Sequence, residues 1–186
     1  WWMRGRQAET ELSVEVLLAS ACLPRIHHAV EIDGQAYWDG GFSANPAVFP
    51  LFCDCDSPDV LLVLLSPLQR HGTPRTLEEI DARVAELTFS AHFMREMRMF
   101  CHATEMAGTG FMALGRLERR LREMRFHMVD TSELASLQRS DTKLLAHGPF
   151  LEGLRDQGHE RGTAFLAEHG SAIGRRATLD LAQWFD

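Results

Sequence analysis

The stretch "DVLLVLLSP", residues 59–67, constrains the fold more than any other in the chain. It is continuously aliphatic between turn formers, whereas a strand with one wet face would alternate apolar and polar residues. It therefore reads as a strand covered on both faces in a parallel or mixed sheet. Helical periodicity surrounds it. Residues 11–23 place Leu12, Val16, Ala19 and Leu23 at three-to-four spacing before Pro24 ends the element. A longer stripe runs through Leu77, Ile80, Val84, Leu87, Ala91, Met94 and Cys101, with Glu78, Glu79 and Asp81 in its first turn.

A second helix is expected over residues 111–124, with Leu114, Leu117 and Leu121 inside and arginines outside. The short strand "RFHMVD" follows it. The last helix spans about 150–169, with Leu151, Leu154, Phe165 and Leu166 as its apolar face. Between the first helix and the buried strand, "AVEIDGQAYWDGG" alternates on both sides of Asp33-Gly34, a dipeptide suited to a tight hairpin turn. Its second strand would deliver Asp39 at its end. Helices and strands alternate, which is the α/β pattern.

At 186 residues, 45% hydrophobic and 24% charged, the chain can bury a core of its own. A net charge of −7 argues against a nucleic-acid partner bound through a general positive field. The aliphatic run at 60–65 is far shorter than the roughly 20 residues that cross a bilayer. Cys22, Cys53, Cys55 and Cys101 lack framework spacing, so reduced thiols and a cytoplasmic location are expected. The opening "WWMRGR" reads as the interior of a longer frame.

Several stretches invite chemistry. "GFSAN" imitates the nucleophile elbow G-x-S-x-G around Ser43, but Asn45 replaces the last glycine and Pro46 disfavours a helical Asn45. Ser43 therefore reads as a loop serine. Asp39 is the stronger candidate, because Gly40 and Gly41 have no Cβ to keep another group away from its carboxylate. Its bland reading is a turn aspartate before glycine.

Gly108, Gly110 and Ala113 in "GTGFMA" satisfy G-x-G-x-x-[GA], with Asp130 downstream. A dinucleotide site needs an apolar strand immediately before the first glycine. A helical stripe precedes it instead, so residues 108–113 read as a break between helices. Cys53 and Cys55 have no partner pair at zinc spacing, and they read as buried thiols near a strand; no metal or cofactor is implied. Arginines 116, 119, 120, 122 and 125 could meet anionic headgroups from one helix face, although Glu118 and Glu123 interrupt them. Peripheral membrane contact is thus permitted without being required.

Taken together, "LLASACLP", "VEIDGQAYWDGGFSANPAVFPL" and "DVLLVLLSP" resemble the patatin-like phospholipase family. The likeness is to its bacterial branch with a C-terminal extension, to which "RFHMVD" and "GRRATLDL" also look similar. The resemblance implies the C-terminal portion of a three-layer α/β/α sandwich over residues 1–75, followed by a mostly helical extension with one short strand over 76–186. It also implies a lipid or acyl-ester substrate.

In that family a serine on G-x-S-x-G and an aspartate on D-G-[GA] form a two-residue catalytic unit beside a glycine-rich oxyanion loop. The resemblance maps the aspartate, as general base, onto Asp39, with Gly40 and Gly41 completing the turn and Asn45 and Pro46 shaping the loop after it. Tyr37 and Trp38 would pack and position the turn. The serine elbow and the oxyanion loop are missing from this sequence, whose one Gly-Gly pair is already used by the turn. The expectation is a chain that carries the base without the nucleophile, inactive alone, with exposed apolar surface that favours self-association. The rival expectations are a noncatalytic interaction module and, further off, a dinucleotide-binding protein.

Overall fold

The computed structural model describes residues 12–24, 26–66, 68, 72–109, 115–131 and 147–185. "WWMRGR", Glu11, Gly110, Ala113 and Leu114 lie outside the described residues. Helix α1 spans Val14–Ser20, capped by the Ser13 hydroxyl accepting the Val16 amide at 3.3 Å. Strands β1 (Val30–Ile32) and β2 (Gln35–Tyr37) form the expected antiparallel hairpin. Its two central residues, Asp33 and Gly34, both take positive φ, at 51° and 72°, as a tight hairpin turn demands.

A single 3₁₀ turn at Gly40–Phe42 and helix α2 (Phe49–Asp54) then lead to strand β3, Asp59–Val63. The longest helix, α3, covers Leu77–Thr109 and is followed by α4 (Arg116–Glu123) and strand β4, Arg125–Val129. β3 and β4 pair in parallel, Val60 opposite Phe126 and Leu62 opposite Met128. Helix α5 (Gly148–His169), a short 3₁₀ turn and α6 (Leu181–Phe185) complete a mixed α/β chain with a long helical part.

One core joins α2, β3, α3, α4, β4 and α6. Val48 and Phe52 meet Val60, Leu62 and Leu64 of the β3 segment, Phe93, Met97, Phe100 and Ala107 of α3, Leu121 of α4, Phe126 of β4, and Leu179 and Phe185 near the C-terminus. Phe93 stacks edge-on against Phe185 with centroids 5.7 Å apart, and Phe52 meets Phe100 in the same way at 5.3 Å.

The structure corrects four sequence expectations. β3 is parallel, as its composition requires, yet only one of its faces is covered among the described residues: Val60, Leu62 and Leu64 are buried, while Leu61, Val63 and Leu65 are exposed. In α3 the expected stripe holds only at its C-terminal end, where Cys101 is buried and Met94 packs against the core, whereas Leu77, Ile80, Val84, Leu87 and Ala91 are exposed. The buried face runs through Phe93, Met97, Phe100 and Ala107, one residue or about 100° around the helix from the aliphatic one. Large aromatic side chains bury more area than Val or Ile, and they set the rotation.

Of the expected inward residues on the other helices, Ala19, Leu121 and Phe165 are buried, whereas Leu12, Leu117, Leu151 and Leu166 are exposed. Cys53 and Cys55 are exposed at the end of α2 rather than buried beside a strand, and all four cysteines are free thiols.

Candidate functional site

The Asp39 turn is built from the first third of the chain. After β2, the amide of Asp39 donates to the Cys22 carbonyl at 2.8 Å, which ties the turn to the end of the α1 segment. The Asp39 carboxylate then folds back, and its Oδ1 accepts the Gly41 amide at 2.8 Å. Asp39 is therefore the N-cap of the 3₁₀ turn, whose other bonds run from the Phe42 amide to the Asp39 carbonyl and from the Ser43 and Ala44 amides to the Gly40 carbonyl. One carboxylate oxygen is fixed by the backbone. Among the described residues Oδ2 has no hydrogen-bond partner, and Asp39 is half-buried.

The two glycines differ. A Cβ at Gly40 would meet nothing within 4 Å, whereas one at Gly41 would stand 3.1 Å from both Asp39 Oδ1 and the Phe89 ring tip. Only the second glycine is required by close approach. Ser43 is exposed, at the end of the turn in ordinary helical backbone (φ −101°, ψ −36°), so the strained presentation of a nucleophile elbow is not what it has. Asn45 is exposed and Pro46 half-buried, joined by a cis peptide bond. Trp38 is exposed and donates its indole N–H to the His27 carbonyl at 3.3 Å, while Tyr37 pairs with Val30 in the hairpin.

Residues 3–52 match the family profile described as Patatin-like phospholipase. This segment is patatin-like. The match takes in α1, the hairpin, the whole Asp39 turn and the first four residues of α2, and it ends at Phe52 in the core. The resemblance read along the whole chain is thus carried by its first 52 residues. Curated proteins and solved structures gave no match to the chain.

Behind the patatin-like segment lies a polar cluster that sequence reasoning missed. Arg125 at the start of β4 donates from Nε to Asp59 Oδ1 at 3.0 Å and from Nη2 to Oδ2 at 2.8 Å. Oδ1 also accepts the Gly174 amide at 2.9 Å and lies 3.1 Å from Nε2 of the buried His127. The Arg125 guanidinium holds the Asp59 carboxyl well below the usual carboxylate range, outweighing the cost of burial, with Gly174 and His127 acting in the same direction. An ionised Asp59 must accept, so Nε2 of His127 carries a proton and donates.

The other ring nitrogen of His127 lies 2.9 Å from Thr178 Oγ1, so the order Asp59, His127, Thr178 imitates a nucleophile relay. The surroundings do not support one. Both the Thr178 and the Leu179 amides are spent on the Phe126 carbonyl, so neither is free to serve as an oxyanion donor. The cluster instead clamps the C-terminal segment onto the β3–β4 pair. The one sequence signal for it was a histidine in the middle of an apolar strand.

Three of the five arginines singled out for lipid contact have intramolecular work. Arg120 collects the carbonyls of Phe52, Cys55, Asp56 and Ser57, Arg122 donates to the Gly108 carbonyl at 3.0 Å, and Arg125 is on β4 against Asp59. Gly108 itself sits in the last turn of α3, so a helix and not a strand precedes the glycine motif, contrary to what a dinucleotide fingerprint requires. Among the described residues no group of three or more His, Cys, Asp or Glu could hold a metal ion, and no helix is long and apolar enough to cross a membrane.

Proposed function

We propose that the chain supplies the catalytic aspartate of a patatin-like lipid acyl hydrolase, with Asp39 as general base toward a serine that lies outside these 186 residues. The observation that carries this reading is the Asp39 carboxylate two residues beyond the end of β2, with Oδ1 fixed by the Gly41 amide and Oδ2, which has no hydrogen-bond partner among the described residues, placed to accept a proton. A serine hydroxyl is a poor nucleophile until a base within hydrogen-bond reach takes its proton, and a fixed carboxylate can serve without a histidine. In the first step the proton passes to Asp39 while the serine oxygen bonds to the ester carbonyl carbon. The ester C–O bond then breaks, the leaving alkoxide recovers the proton from Asp39, and water releases the acyl group by the same route.

The sequence contains no G-x-S-x-G and no glycine-rich oxyanion loop, and both would have to come from elsewhere for turnover. The 186 residues alone are then inactive toward esters. The test is hydrolysis of a p-nitrophenyl acyl ester by a form of the protein that also carries the serine motif, with and without Asp39→Asn. Loss of turnover by about a hundredfold or more is expected for removal of a general base. Turnover that survives Asp39→Asn would overturn the assignment.

A second reading, an interaction module without chemistry, is favoured by the exposed outer residues of the β3 segment, Leu61, Val63 and Leu65. Parallel strands are ordinarily covered on both faces, so this surface suits a protein partner. A stable complex formed by a serine-free chain whose cellular role is untouched by Asp39→Asn would decide for that reading.

A further inference from the structure

We infer that Phe89 and Glu96 of α3 are positioning residues for Asp39; the inference rests on reading Asp39 as the catalytic base. The two lie seven residues apart, two turns along one side of the helix. Between and beside them Phe93 and Met97 are buried in the core, which fixes the helix beneath the turn. From that side α3 reaches the Asp39 loop at both ends.

At the near end, the ring of Phe89 meets that of Phe42 edge-on, with centroids 5.2 Å apart and planes at 87°. Its tip lies 3.1 Å from where a Cβ of Gly41 would stand, so it backs the peptide whose amide aims the Asp39 carboxylate. At the far end, the Glu96 carboxylate accepts the Val48 amide at 3.2 Å with one oxygen and the Phe49 amide with the other. It thereby caps the start of α2 from a different helix, as an anion is favoured to do at that end. The segment 39–49 is held between a ring at one end and a carboxylate at the other. The contacts of both residues are to Phe42, Gly41, Val48 and Phe49, so they act through Gly41 and the loop.

The experiment uses the full 186-residue chain labelled with ¹⁵N and reads the Gly41 amide, whose proton is donated to Asp39. In the unaltered chain its chemical shift should follow the ionisation of Asp39 as pH is varied. Phe89→Ala should reduce that pH-dependent displacement to half or less and speed Gly41 exchange with solvent at least tenfold. Glu96→Ala should speed exchange at Val48, Phe49 and Gly41, with Glu96→Gln, which keeps one acceptor oxygen, restoring most of the Gly41 signal.

Phe100→Leu serves as the control: a core change away from the turn should lower global stability and leave the Gly41 titration unmoved. If Phe89→Ala fails to fold, Phe89→Leu should show a smaller change of the same kind. A Gly41 titration indifferent to Phe89, or disturbed equally by Phe100→Leu, would overturn the proposal. A Gly41 signal that responds as described, in a protein whose turnover survives Asp39→Asn, would overturn the catalytic assignment of Asp39 instead.

Discussion

Arg125 holds Asp59 with two nitrogens, Nε on one carboxylate oxygen at 3.0 Å and Nη2 on the other at 2.8 Å, and so joins the first residues of the two parallel strands. The side chains are 23% and 15% exposed, so the pair is better shielded than a surface ion pair and is completed by the Gly174 amide and His127. Asp59→Ala leaves a guanidinium and a buried imidazole without their acceptor, and a loss of about 3 kcal/mol in urea unfolding is expected.

The same pair sets a pH dependence. The folded-state pKa of Asp59 lies below its ordinary value, so its contribution to stability is complete above the unfolded value of about 4 and is lost as pH falls toward the folded one. Unfolding free energy measured from about pH 6 down to about pH 2 should fall, and the fall should be shallower in Asp59→Asn.

Gly40 and Gly41 should separate cleanly. Gly40→Ala enters open space and should change stability by less than about 0.5 kcal/mol. Gly41→Ala presses on Asp39 and Phe89, and a loss of about 1 kcal/mol is expected in the same denaturant titration.

Arg120 binds the carbonyls of Phe52, Cys55, Asp56 and Ser57, between α2 and β3. A lysine supplies charge without the planar fork, so Arg120→Lys should cost about 1–2 kcal/mol by thermal or denaturant unfolding. Rescue to wild-type stability would show that charge alone suffices there.

On β3, alternate residues should behave oppositely. Leu62→Ala removes a buried side chain and should cost about 2–5 kcal/mol, whereas Val63→Thr on the exposed face should change stability little. Light scattering of a charged variant, Leu61→Lys with Leu65→Glu, should show less self-association than the unaltered chain.

The sequence made local features legible where local chemistry decides them. Asp33-Gly34 dictates a hairpin because the turn needs positive φ, whereas the helix expected to run to Pro24 already ends at Ser20. The strands at 59–63 and 125–129 were visible in their composition. The rotation of the first half of α3 was not, since Leu77, Ile80, Val84 and Leu87 make a regular stripe of their own, and only Met94 and Cys101 of that expected face meet the core that Phe93, Met97 and Phe100 set. Asp39, Gly40 and Gly41 were found through a short motif, but Phe89 and Glu96 approach it from about 50 residues away in sequence, a proximity that periodicity does not reveal. Asp59, Arg125, His127 and Thr178 were hidden for the same reason.

The most direct measurement on the central claim is labelling of the purified, folded chain with a fluorophosphonate probe, read by intact mass and peptide mapping. With Asp39 as a base and Ser43 as an exposed loop residue, no stoichiometric adduct should form on this chain. A stoichiometric adduct on Ser43 that disappears with Asp39→Asn would show a self-contained hydrolase and contradict the assignment of the nucleophile to a serine outside these residues.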